Sequence, residues 1–97
     1  MDFAWDERKN KANLRKHGLD FADASEVFDG PMLTALDDRM DYGEDRWIGI
    51  GMLRARVVVV VFAERPGDTI RIISLRKAYT NERIRYDEIV KNRLEES

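Results

Sequence analysis

Val-Val-Val-Val-Val-Phe-Ala-Glu-Arg-Pro-Gly-Asp-Thr-Ile-Arg-Ile-Ile-Ser-Leu-Arg, residues 57 to 76, reads as two strands joined by a hairpin turn. Val57 to Phe62 is apolar at every position. Both of its faces must therefore be covered, which places it at the centre of a sheet. Pro66-Gly67-Asp68 brings turn chemistry, since proline presets φ, glycine accepts a positive φ and aspartate bonds its own backbone. Thr69 to Arg76 returns as the neighbouring strand. Arg54, Arg56, Glu64 and Arg65 flank the valine run and restrain its tendency to aggregate.

Working outward, Arg46 to Met52 is a further strand, with Trp47, Gly49 and Gly51 on one face and Arg46, Ile48, Ile50 and Met52 on the other. Ala55-Arg56 is the tight turn into the valine run, and Met32 to Leu36 is a weaker strand. The acidic stretch Asp37 to Asp45 reads as a solvated hairpin loop. It fails as a calcium loop because Arg39 occupies a ligand position and no glutamate closes it. Gly49-Ile50-Gly51 lies within a strand with no helix after it, which speaks for close packing and against a nucleotide fingerprint.

Phe3 to Trp5 is a short strand candidate. Asp6 is placed to cap a helix that Gly18 ends, and Ala12 and Leu14 are the only apolar residues between them. So polar a helix covers an edge or lines a groove. Lys9, Asn13 and His17 share one of its faces. Asp20 caps a second, more conventional helix with Phe21, Ala24 and Phe28 at core spacing, and Gly30-Pro31 stops it. A last helix runs from about Asn81 to Leu94, with Tyr86, Ile89, Val90 and Arg93 on one stripe. The order β-α-α-β-β-β-β-α describes one α+β domain over residues 1–97, with a mainly antiparallel sheet.

The 97 residues are 43% hydrophobic and 37% charged, which suits a globular chain and not a disordered one. The longest apolar run, Val57 to Ala63, is too short to span a membrane. Charged residues from Asp2 onward argue against a cleavable signal peptide. With no cysteine and a single histidine, disulfides and thiolate metal sites are excluded and a zinc site is disfavoured. The expected setting is the cytoplasm, with no metal and no cofactor.

Net charge is −2, but it is unevenly spread. Residues 1 to 45 hold 6 Lys/Arg against 12 Asp/Glu, and residues 46 to 97 hold 11 against 7. From Arg65 to Arg85 there are six basic residues and two acidic ones. Such a stripe can hold a polyanion, dock an acidic protein or simply face water. Arg76 and Lys77 end a strand, and Glu82 and Tyr86 follow one helical turn apart on the next element. Arginines at a strand end beside these two groups make a seat for phosphate. His17 is the one side chain with an ordinary pKa near neutrality, and it can either move protons or cap helix carbonyls.

Together these segments resemble the BrnT toxins of type II toxin–antitoxin systems. The matching pieces are Trp5-Asp6-Glu7, Lys9, Asn13, Lys16-His17-Gly18, Phe21, Ala24 and Phe28. They continue through Glu44, Arg46, Glu64-Arg65, Arg71-Ile72-Ile73-Ser74, Arg76-Lys77-Ala78, Glu82 and Tyr86. The match departs at Leu75, where the family usually has a small residue, and in a longer last helix. The resemblance implies a RelE-like fold and a ribonuclease activity that halts translation. It also implies a BrnA antitoxin whose ribbon-helix-helix half dimerises, giving a heterotetramer that binds operator DNA through the antitoxin.

The expected chemistry is metal-independent attack of a ribose 2′-hydroxyl on the adjacent phosphate. Arg65 and Arg76 are the candidates for stabilising the added charge, because a guanidinium offers paired donors to phosphate oxygens. His17, Glu82 or Tyr86 would handle protons, with His17 ranked first. Lys9, Lys16, Arg46, Arg71 and Lys77 would hold the RNA backbone. Period two in an unbroken strand puts Arg71 and Arg76 on opposite faces. The competing expectation is a non-catalytic module that uses the stripe from Arg65 to Arg85 to bind protein or nucleic acid.

Overall fold

The valine run lies in the middle of a five-stranded sheet. In the computed structural model, which describes residues 1–96, the strands are β1 (Asp2–Trp5), β2 (Leu33–Leu36), β3 (Trp47–Leu53), β4 (Arg56–Arg65) and β5 (Thr69–Lys77). Their order across the sheet is β1-β5-β4-β3-β2. Only the β1–β5 pair is parallel. Helix α1 (Glu7–His17) follows β1, a 3₁₀ helix spans Phe21–Asp29, and α2 (Thr80–Glu96) ends the fold. Among the described residues no helix is long and apolar enough to cross a membrane.

The second helix departs from expectation. Its buried residues are Phe21, Ala24 and Val27, spaced by three. Three residues per turn is the 3₁₀ period, and it aligns all three side chains on the sheet. Phe28 therefore drops out of the innermost row and packs half-buried between Phe3 and Phe62, with ring centroids 5.2 and 5.0 Å away. The helix comes this close because β3 offers glycines. A Cβ on Gly51 would lie 2.7 Å from Val27 Cγ1, and one on Gly49 would lie 2.5 Å from Met32 Sδ. The core fills the space between this helix and one sheet face, with Val58, Val60, Phe62, Ile72 and Leu75 from the strands. Leu75, larger than the resemblance leads one to expect, is fully buried there. The tight turn before β4 falls on Arg54 and Ala55, one residue earlier than read from the sequence.

The polar helix α1 is held by amides. Asp6 caps it by accepting from the Arg8 and Lys9 amides, and Gly18 ends it at φ 70°. β1 runs alongside β5 only as far as Ile72, so the next stretch of the β5 edge lacks a strand neighbour. Asn13 takes that place: its Nδ2 donates to the Leu75 carbonyl at 2.8 Å, and its Oδ1 accepts from the Leu75 amide at 3.2 Å. The same Nδ2 donates to the Leu19 carbonyl at 3.1 Å. One turn earlier, Asn10 Oδ1 accepts from the Phe21 amide at 2.9 Å, and its Nδ2 donates to Asp20 at 3.0 Å. Both asparagines are buried, and all of these bonds but the one to Asp20 are made away from water.

Asn13→Ala should lower unfolding free energy by about 2–4 kcal/mol, because both backbone groups of Leu75 lose their partner in the interior. Urea denaturation measures it. A loss under ~0.5 kcal/mol would mean that the asparagine is not what closes the β5 edge.

Candidate active site

Strand β5 is not regular. Val61 pairs with Ser74 but Phe62 pairs with Ile72, so Ile73 is an extra residue, a β-bulge. The expected alternation is thereby overturned. Arg76 pairs with Val59 and Arg71 with Ala63. Those partners are an even number of residues apart on a regular strand, so the two arginines share one sheet face. This is the face opposite the 3₁₀ helix. Arg65 lies on it too, two residues beyond Ala63, and so does Arg46, which continues the Ile48–Ile50 side of β3.

At one end of this face Arg76 is held rigidly. Its Nη1 and Nη2 donate to the two Glu82 oxygens at 2.8 and 3.0 Å, and Nη1 also donates to the Lys77 carbonyl at 3.2 Å. The Tyr79 ring lies 4.1 Å beneath the guanidinium carbon. Glu82 is fixed in turn. The Tyr79 carbonyl accepts from Arg83, which makes Tyr79 the N-cap of α2, and Glu82 at the third position accepts from the Tyr79 amide at 2.7 Å. The Arg76 guanidinium keeps the Glu82 carboxyl below its ordinary pKa. Glu82 is therefore an anion that orients Arg76 and a poor proton acceptor.

His17, half-buried at the end of α1, is close enough to Arg76 to feel its charge. Burial first, then Lys16, then Arg76, lower its pKa from the ordinary 6.5. The imidazole is neutral at pH 7 and can accept a proton.

The remaining arginines gather farther along the face. Arg71 donates to Glu44, and Arg46 and Arg65 approach the same carboxylate at 3.7 and 3.5 Å. Arg46 also lies 4.2 Å over the Tyr42 ring. A cleft of about 590 Å³ opens here, lined by Trp5, Lys9, Tyr42, Arg46 and Arg71. The loop bearing Glu44 is the expected hairpin connection between β2 and β3 and is exposed at most positions, but its base is not solvated. Asp37 at its base is buried and accepts from Arg39 Nε and Nη2 at 2.7 and 2.8 Å, and from Tyr42 at 3.2 Å. These bonds, Arg39 foremost, hold the Asp37 pKa down at about 2.

Not every expected residue joins these groups. Tyr86 is buried, its hydroxyl donates to the Pro31 carbonyl at 2.9 Å, and burial raises its pKa. Its hydroxyl proton is engaged with that carbonyl, and the ring packs in the interior. Arg65 stands six residues along β4 from the partner of Arg76, about 20 Å at strand rise. The two cannot stabilise one phosphate. Lys77 pairs with Val58 and projects from the other face. Lys16 is exposed beside His17, and Lys9 is exposed at the cleft. The sequence reading overlooked Tyr79, Asn13 as a brace and Glu44 as the centre of the arginines. Tyr79 had a signal, for it immediately precedes the helix whose third residue is Glu82.

Residues 5–82 match the family described as "Ribonuclease toxin, BrnT, of type II toxin-antitoxin system". The crystal structure of the Brucella abortus ribonuclease toxin BrnT is similar to this chain, with a TM-score of 0.65 and 32% sequence identity. The similarity covers 82% of this chain and 99% of that one. No curated protein matches.

His17 should titrate below 6.5 when followed by NMR, and Arg76→Ala should raise its midpoint. A midpoint unmoved by the substitution would separate the two groups. Asp37 makes a stability prediction of its own. Its folded pKa lies below its unfolded value, so its contribution is complete above pH ~4 and is lost as the pH falls toward 2. In acid unfolding, Asp37→Asn should lose that step.

Proposed function

The chain belongs to the BrnT family of ribonuclease toxins of type II toxin–antitoxin systems, and on that premise we propose that it cuts RNA without a metal. One observation carries the reading: a guanidinium fixed at a strand end by two bonds to Glu82, near enough to the His17 imidazole to act on its charge. His17 accepts the proton of the ribose 2′-hydroxyl, whose oxygen attacks the adjacent phosphorus. Arg76 stabilises the charge that grows on the phosphoryl oxygens, and it is already oriented before substrate arrives. The P–O5′ bond breaks, and the imidazolium returns the proton to the departing oxygen. The products are a 2′,3′-cyclic phosphate and a 5′-hydroxyl.

Arg46, Arg71 and Lys9 hold the strand leading away from the cut, and Lys16 borders the reacting end. Tyr86 and Lys77 have no part in this reading, and Arg65 belongs with the distant group of arginines. The sheet with its edge helix is read as RelE-like, and cleavage in the cytoplasm would stop translation. A ribbon-helix-helix antitoxin of BrnA type would neutralise it in a heterotetramer that reaches operator DNA through the antitoxin.

Purified protein incubated with end-labelled RNA in EDTA should yield cyclic phosphate ends. Arg76→Ala should slow this by about 10²–10³-fold. Tyr86→Phe should leave the rate nearly unchanged while costing about 1 kcal/mol of stability. Equal cleavage by the wild type and Arg76→Ala would remove Arg76 from the chemistry. Binding of RNA without cleavage, with or without ribosomes, would favour a non-catalytic module.

A further inference from the structure

Glu44 is surrounded by three guanidinium groups from three chain segments. Arg71 comes from β5, Arg65 from the end of β4 and Arg46 from the lead into β3. Three positive charges face one carboxylate, so the group retains an excess of about two. Arg46 Nε is buried without a hydrogen-bond partner, 3.7 Å from Glu44 Oε1 and too far to donate to it. A buried guanidinium donor left unmatched is costly and calls for an acceptor. A carboxylate has two oxygens, and so has a phosphodiester in its non-bridging pair. The cleft of about 590 Å³ beside the group is also lined by Trp5 and Lys9.

We propose that Arg46, Arg65 and Arg71 form a second phosphate seat for RNA, and that Glu44 occupies it as an internal stand-in until an RNA phosphate displaces it. The inference rests on the reading of this chain as a ribonuclease. Arg71 and Arg76 pair with β4 residues four apart, about 13 Å along the strand. The seat thus holds a phosphate removed from the one being cut. Glu44 is suited to leave because the loop that carries it, between Asp37 and Arg46, is closed at its base without it: the Asp37 amide donates to the Arg46 carbonyl at 2.7 Å, and the Asp37 carboxylate holds Arg39. The stand-in also keeps the arginines from repelling one another when no RNA is present.

The test is equilibrium binding of a 2′-O-methyl oligonucleotide, which cannot be cut, to the wild type, Glu44→Gln and Arg71→Ala. Glu44→Gln should tighten binding by about 3–10-fold, since one competing anion is removed. Arg71→Ala should weaken it and lower the slope of log K against log salt by about 1. Weaker or unchanged binding by a Glu44→Gln protein that melts like the wild type would overturn the proposal, leaving Glu44 a structural clamp. An acidic peptide of equal charge that competes as well as RNA would overturn it in favour of a protein partner.

Inorganic phosphate titrated into the wild type, with arginine Nε–H signals followed by NMR, needs neither the variant nor RNA. Saturable shifts at Arg46 and Arg71, with none at Arg54, are expected. Their absence would overturn the seat even if Glu44→Gln failed to fold. Phosphate binding here without any RNA binding would keep the seat and contradict the ribonuclease reading instead.

Discussion

One surplus residue in β5 determines which arginines can serve the same ligand. Were the strand regular, Arg71 would point toward the 3₁₀ helix while Arg76 pointed away. The bulge at Ile73 breaks the alternation once, and each side of the break answers a different demand. Beyond it, Leu75 must enter the core. Before it, Ile70 and Ile72 must do the same. Two odd-numbered intervals cannot satisfy both in a regular strand, because Ile72 and Leu75 are three apart. The apolar core therefore enforces the bulge, and the shared face of Arg71 and Arg76 follows from it.

That face would be unstable as a bare array of cations, and the fold answers with one carboxylate for each group. Glu82 holds Arg76, Glu44 gathers Arg46, Arg65 and Arg71, and Asp37 holds Arg39. The consequences differ with the partner. The Arg76–Glu82 pair is bidentate and tied to the cap of α2, so it orients without giving way. Glu44 sits among more positive charge than it can neutralise. A rigidly oriented guanidinium at one end and an excess of positive charge at the other are thus built from the same two residue types.

Much of this was legible in the chain. The central position of β4, the turn at Pro66 to Asp68, the caps at Asp6 and Gly18 and the close-packing role of Gly49 and Gly51 all follow from local chemistry. The 3₁₀ helix was hidden because Phe21, Ala24 and Phe28 satisfy an α-helical spacing as well as Phe21, Ala24 and Val27 satisfy a threefold one. Sheet contact settled the choice. The bulge left no residue signature, since Ile72 and Ile73 are both apolar and either can face inward. Asn13 lay on a recognised polar face, but its task depends on β1 stopping short of Leu75, a tertiary fact. Glu44 stood among the residues of the resemblance, but nothing local marked it as a partner for arginines. Its neighbours come from residues up to Arg71, beyond the reach of any local pattern.

A structure of the chain with a 2′-O-methyl RNA bound would test most directly whether one strand uses this face. The account predicts phosphates at both Arg71 and Arg76, with the RNA crossing the sheet on the side away from the 3₁₀ helix and the Glu44 side chain turned out of its seat. RNA lying against the 3₁₀ helix, or reaching Arg76 while Glu44 keeps all three of its arginines, would contradict it.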